Sequence, residues 1–410
     1  MRVLLSTIGS RGDVQPLLAL AVQLKSLGQE VRLCVPPDFR EWIEGLGFVV
    51  TPIGPELRKF TASAPSSSPS FSAERGRQLA EASVATQFET VMTAAQRCDV
   101  IVAATALQIA ARSVAEKMSI PYFFAAYCPI VLPSSHHAPP RLPPLPGQTP
   151  PPATADNREL WARDGERFND LFGSALNVHR ASIGLAPVND TRSHVFTDRP
   201  WLPADPTLAP WPIPGDQAVF QTGAWMVNDD RPLPTDVEKF LESGEPPVYF
   251  GFGSMRAPQG LSQVMVEAAR ALGRRAIVLS GWADLSVENS GPDCLTIGEV
   301  NQQALFKRVA AVVHHGGAGT TTTTAFAGAP QVVIPQMYDQ HYWAERVRVL
   351  GIGVAHTPGT PTTDSLTDAL AHALRPEVAV RARAIAAEVR SDGALVAARR
   401  VITAASSNRV

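Results

Sequence analysis

The sequence predicts an α/β chain of two doubly wound lobes, and three observations carry that prediction. The chain opens on a strand, a glycine-rich turn, a helix and a second strand in quick succession, which is the unit of a parallel sheet covered by helices. The same rhythm restarts near residue 248, after a proline- and tryptophan-rich stretch. The 410 residues, set against roughly 150 per domain, leave room for two comparable lobes.

In the first lobe, 3–7 reads as a strand and Gly9-Ser10-Arg11-Gly12-Asp13 as the turn that follows it. Leu17, Leu20, Ala21, Leu24 and Leu27 recur at helical spacing, and Gly28 stops that helix. Strands follow at 30–35 and 48–53, then a Ser/Pro-rich segment, 61–72, expected to be a mobile loop. Further buried strands are expected at 98–103 and 121–125, with a helix at 107–118 between them. Ten prolines between Pro129 and Pro152 leave no room for a regular helix or central strand, so this span is a long surface loop whose His136 and His137 are expected to face solvent. Helical pattern resumes over 158–183, and 200–215 reads as the crossing between lobes.

In the second lobe, strand 248–251 leads through Gly251-Phe252-Gly253-Ser254 to a helix at 261–272. Strands are expected at 276–279, 295–297, 311–314 and 330–335, and helices after Gly319 and at 339–350. A last helix spans 392–405. The expected domains are 1–200, a linker 201–215, 216–390, and a C-terminal helix within 391–410.

Composition narrows the function. Hydrophobic residues at 45% and charged ones at 18% give each lobe a core. A net charge of -2 removes the attraction on which non-specific nucleic-acid binding depends, so no nucleic-acid partner is expected. Cys34, Cys98, Cys128 and Cys294 are scattered without a C-x-x-C pair, which argues against a zinc ribbon or disulfide scaffold and fits reduced thiols in the cytoplasm. There is no apolar run long enough to span a bilayer and no secretory h-region at the start.

The chemistry concentrates at turns that follow strands. His315-Gly316-Gly317-Ala318-Gly319-Thr320 takes a strand through small residues into a helix N-terminus, a geometry in which outward N–H groups and the helix dipole suit a diphosphate. The plain alternative is a tight turn whose glycines serve packing. Ser254 stands at an equivalent strand end and could add a donor, or simply close a turn. Asp339 and Gln340 supply acceptors and donors suited to sugar hydroxyls, or cap a helix. Asp339 also lies about 20 residues past Gly319, the spacing of a dinucleotide site, but Thr322 stands where that motif needs its third glycine. Asp13 is either an N-cap carboxylate or a general base.

Taken together, Ser6-Thr7-Ile8-Gly9-Ser10-Arg11-Gly12-Asp13 and His315-Gly316-Gly317-Ala318-Gly319-Thr320-Thr321 resemble family 1 glycosyltransferases of the GT-B fold. Thr197-Asp198-Arg199-Pro200-Trp201, Gln221-Thr222-Gly223-Ala224-Trp225, Gly281-Trp282-Ala283-Asp284-Leu285, Gly298-Glu299-Val300-Asn301 and Pro335-Gln336-Met337 narrow the resemblance to the enzymes that decorate vancomycin- and teicoplanin-type glycopeptides.

The resemblance implies two Rossmann-like domains facing across a cleft, with the C-terminal helix packed back on the first. It implies inverting transfer from a UDP- or dTDP-sugar bound by the C-terminal domain to a glycopeptide aglycone bound by the N-terminal one. Carried onto this chain, Asp13 is the base and Ser10 lies near the donor phosphates. Ser254, His315, Gly317, Gly319 and Thr320 hold the diphosphate, Asp339 and Gln340 meet sugar hydroxyls, and Val300 approaches the nucleotide base. Thr323 stands where plant relatives place a ribose-binding glutamate. No D-x-D triplet occurs, so no metal and no cofactor beyond the sugar nucleotide are expected. A sterol, macrolide or other lipophilic acceptor shares the same diphosphate motif. A nicotinamide or flavin oxidoreductase and a non-catalytic glycopeptide-binding protein are the readings from other classes.

Overall fold

Seven short strands and six short strands make two separate parallel sheets. The computed structural model describes residues 1–58, 73–142, 145, 148–213, 215–253, 260–281 and 291–407. The chain divides into two units: Met1–Ala204 with Pro210–Val227 and Ser391–Val410, and Asp205–Ala209 with Asn228–Arg390.

The first unit holds β1 (Arg2–Thr7), β2 (Glu30–Val35), β3 (Val49–Pro52), β4 (Val100–Ala104), β5 (Tyr122–Ala125), β6 (Trp201–Leu202) and β7 (Phe220–Gln221), in the order β3-β2-β1-β4-β5-β6-β7. Val3 to Leu5 and Val100 to Ala104 are fully buried, the continuous apolar run that a strand covered on both faces requires. Strand order reverses between β1 and β4, and ligands of such sheets collect beyond the carboxyl ends of the strands at that reversal. Asp13 lies there by topology alone.

Several elements of this unit lie outside the sequence-based expectation. A 22-residue helix, Ala73–Ala94, presents Ala80, Val84, Phe88 and Val91 to the core at helical spacing. The domain boundary also moves: β6 falls inside the expected linker and β7 inside the expected second lobe, yet both extend the first sheet. These strands are two residues each, too short for period-2 alternation to register. The helix expected at 107–118 begins only at Ala111, because Thr105, with φ +74°, turns the chain first.

The C-terminal helix Gly393–Ser407 packs on the helix Arg11–Ser26 within the same unit. A Cβ on Gly393 would sit 2.3 Å from the backbone of Gly223, so that approach admits only glycine.

The second unit holds β8 (Val248–Gly251), β9 (Ala276–Leu279), β10 (Cys294–Ile297), β11 (Ala311–His314), β12 (Gln331–Val333) and β13 (Gly353–Ala355), in the order β10-β9-β8-β11-β12-β13. Val248, Phe250, Ala311 and Val313 face one buried cluster, and Tyr249, Ile277 and Val312 face another. Both faces are therefore covered, and the reversal falls between β8 and β11. Among the described residues no helix is long and apolar enough to cross a membrane.

Candidate active site

In the second unit β11 ends at His314 and a helix begins at Ala318, so three residues make the whole turn. His314 is fully buried, and it is the residue that shapes this turn although sequence reading gave it no role. Its Nδ1 accepts the Gly316 amide at 3.1 Å while Nε2 lies 2.9 Å from Oε1 of Gln331, which fixes the Nε2–H tautomer. Gly316 has φ +92°, and a Cβ there would meet Val333 at 2.7 Å. A Cβ on Gly317 would meet Nε2 of His315 at 2.7 Å. These two glycines are packing requirements. Gly319 is different: a Cβ there would meet nothing within 4 Å.

The helix Ala318–Ala327 has Gly317 as its N-cap and no side-chain acceptor on its first turn, an arrangement ready for an external anion. Thr321, Thr322 and Thr324 turn their hydroxyls back onto the carbonyls of Gly317, Ala318 and Thr320. Thr320 Oγ1 makes no such bond among the described residues and is half-buried at the first turn. His315 is also half-buried, with its ring 6.4 Å from that of Phe252. Desolvation lowers its pKa to about 4, so it is neutral near pH 7. Its Nδ1 is a buried atom without a partner among the described residues, which makes it a candidate donor to a ligand acceptor.

The loop after β12 runs beside this turn: Gln340 lies close enough that a Cβ on Gly316 would touch its carbonyl at 3.0 Å. Oε1 of Gln340 accepts the amides of Gln336 and Met337 at 2.8 and 3.2 Å, so the side-chain oxygen clasps its own loop. Asp339 Oδ2 accepts the indole N–H of Trp343 at 3.0 Å, and Tyr338 before it has φ +55°. Val300 follows β10 and packs against the second cluster. It stands three strands from β11, roughly 14 Å at ordinary strand spacing. Ser254, like Trp282 to Leu285 and the segment 61–72, lies outside the described residues.

In the first unit the helix Arg11–Ser26 has Ser10 as its N-cap and Asp13 three residues on. Asp13 is therefore not the cap itself but the returning half of a capping box. Its Oδ2 accepts the Ser10 amide at 2.6 Å and the Ser10 hydroxyl at 3.1 Å. Its Oδ1 has no hydrogen-bond partner among the described residues. Gly9 is required here, because a Cβ would fall 2.2 Å from Oδ2. Desolvation raises the pKa of Asp13 to about 6, against the bonds from Ser10 that lower it.

Two neighbours escaped the sequence reading. The Tyr127 hydroxyl, beyond β5, donates to the Asp13 carbonyl at 3.1 Å, and the Thr105 hydroxyl, beyond β4, donates to the Ile8 carbonyl at 3.3 Å. Their only signal was position after a strand in the half-sheet carrying Asp13. One expectation is corrected: His137 does not face solvent. Its ring lies 6.0 Å from that of Trp161 and 5.9 Å from that of Trp211, and burial lowers its pKa. His136 is exposed.

The second unit thus presents a helix N-terminus beside a neutral imidazole, and the first a carboxylate with one oxygen uncommitted. Among the described residues no group of three or more His, Cys, Asp or Glu could hold a metal ion.

Comparison with known proteins places the chain among glycosyltransferases. Residues 3–134 match the glycosyltransferase family 28 N-terminal domain, and residues 275–398 match the C-terminal domain of the erythromycin biosynthesis protein CIII-like family. The chain is 49% identical to glycosyltransferase GtfE of Amycolatopsis orientalis, over 97% of this chain and 96% of that protein. It is 48% identical to the vancomycin aglycone glucosyltransferase of the same organism, over 100% and 99%. The crystal structure of the glycosyltransferase of kitacinnamycin superposes with a TM-score of 0.73 at 22% identity, covering 98% of each chain, and shares the fold.

Proposed function

The chain belongs to the glycosyltransferases of glycopeptide-antibiotic assembly, and from that premise we propose that it moves one sugar from a UDP- or dTDP-sugar to a hydroxyl of a glycopeptide aglycone or pseudoaglycone, with inversion. The observation that carries this reading is the state of Asp13. A carboxylate with one uncommitted oxygen and a pKa of about 6 is ionised at neutral pH yet basic enough to take a proton as an alcohol attacks.

The step is a single displacement. The acceptor O–H proton goes to Asp13 Oδ1 as the oxygen bonds to the anomeric carbon, and the bond from that carbon to phosphate oxygen breaks with its electron pair leaving on the diphosphate. The amides at Gly317, Gly319 and Thr320, the Thr320 hydroxyl and His315 meet that charge, and the open space at Gly319 admits the phosphate. Ser254 serves as a further donor to it, while Ser10, whose amide and hydroxyl both donate to Asp13, lies near it. Asp339, with Gln340, binds sugar hydroxyls, and Val300 borders the nucleotide base. The absence of a D-x-D triplet supports a diphosphate held without a metal and with no other cofactor. Four free, buried cysteines support a cytoplasmic site of action.

A panel of UDP- and dTDP-sugars incubated with a glycopeptide aglycone, read by product mass, tests the reading. A product heavier by one sugar is expected. Transfer to a sterol or macrolide but never to the glycopeptide would replace this acceptor assignment.

A further inference from the structure

The sheet of the first unit gapes at one edge. β5 pairs with β6 at a single step, Ala125 with Trp201, so Tyr122 and Phe123 run on with no strand beside them on that side. The gap is a groove of about 780 Å³ at the N-terminal ends of these strands, the end of the sheet opposite Asp13. Phe123 and Phe220 are half-buried rings on its lining, backed by the buried Trp201, whose ring centroid lies 4.5 Å from that of Phe123 and 5.6 Å from that of Phe220.

Arg112, Arg199 and Arg400 line the groove, against the carboxylates of Glu116 and Asp198. Glu116 is already spoken for, by Arg180 at 2.7 and 3.1 Å. Arg112 is held by the carbonyls of Ser193 and His194, which fix its position without neutralising its charge. Arg400 stands on the C-terminal helix with Cζ 5.8 Å from the Phe220 ring centroid. The Arg199 side chain has no hydrogen bond or ion pair among the described residues. It is presented by a turn in which Thr197 accepts the Arg199 amide at 3.2 Å, and Thr197 has φ +63°, a conformation rare for a β-branched residue and concentrated at ligand clamps.

We propose that this groove is a second ligand site, for an aromatic carboxylate whose ring lies against Phe123 and Phe220 and whose anion is met by Arg199 and Arg400. With Glu116 held by Arg180, the three guanidinium groups face one remaining carboxylate, Asp198, so a neutral arene would leave net positive charge unanswered and an inorganic anion would not use the rings; one molecule carrying both groups satisfies both. A free aryl acid and the carboxyl end of an aromatic peptide share this chemistry. The site is independent of the sugar-transfer reading, since neither Asp13 nor the His315 turn contributes to it.

Calorimetric titration of the full chain tests the site with three probes: 4-hydroxyphenylacetate, its uncharged amide, and N-acetyl-Tyr-Tyr. Both acids should bind saturably, and the amide about fivefold or more weaker, as the loss of a charged hydrogen bond requires. Arg199→Gln and Arg400→Gln should each weaken the acids similarly, and together abolish binding, with thermal unfolding and nucleotide-diphosphate affinity unchanged. Tighter binding of the dipeptide assigns the site to peptide ends, and equal or weaker binding assigns it to free acids. No saturable binding, an amide as tight as the acid, or binding untouched in the double variant would overturn the proposal.

Discussion

Oδ2 of Asp13 sits 2.6 Å from the amide of Ser10, so the carboxylate closes the first turn of a helix with one oxygen, and the proposed base role falls to the other. The two roles use different oxygens. Oδ2 is pinned by the cap, which fixes the direction in which Oδ1 points. The cap favours the ionised form and desolvation favours the neutral one, and desolvation wins, leaving a pKa of about 6.

Transfer should follow that balance. A base works in its deprotonated form, so kcat/KM should rise with pH, reach half its plateau near pH 6, and level off above pH 7. Asp13→Asn should keep nucleotide binding, lose at least about tenfold in rate and lose this limb. A wild-type profile flat from pH 5 to 7 would remove Asp13 from the base role.

Gly319 separates a ligand requirement from a packing one. Among the described residues nothing lies within 4 Å of the position its Cβ would take, and it stands in the first turn of a helix. Gly319→Ala should therefore leave the fold as stable or up to about 1 kcal/mol more so, yet weaken nucleotide-diphosphate binding. Thermal unfolding beside calorimetry reads both quantities; unchanged affinity places the phosphates elsewhere.

His315→Ala should weaken nucleotide-diphosphate affinity while changing unfolding far less than a lost buried hydrogen bond would, because its buried Nδ1 has no partner among the described residues. Equal affinity in the variant would take the imidazole out of the phosphate site.

His314 should behave in the opposite manner. Gln331→Leu removes the acceptor for its Nε2–H in a fully buried setting and should destabilise by about 1–3 kcal/mol. Denaturant unfolding measures it, and a change well below that range would show the clasp to be dispensable.

How far the residues alone disclosed this arrangement depended on the length of each signal. β1, β2, β8, β9 and β11 were readable because buried parallel strands are unbroken apolar runs bounded by turns. β6, β7 and β13, at two or three residues, carry no pattern to read, and the first two moved the domain boundary. The His315 turn and Asp13 were legible because glycines before a helix are a local feature. Tyr127 and His314 were not, since their roles come from a contact 114 residues away and from a tautomer set by Gln331. Gln340 was read as a sugar contact from its chemistry, while its oxygen holds two amides of its own loop.

The placement of Gly393–Ser407 in the first unit bears on where a protease cut would be felt. Ala394, Ala397, Ala398 and Val401 are buried, so severing the chain after Arg390 would uncover the helix Arg11–Ser26 of the first unit and leave the sheet of the second covered.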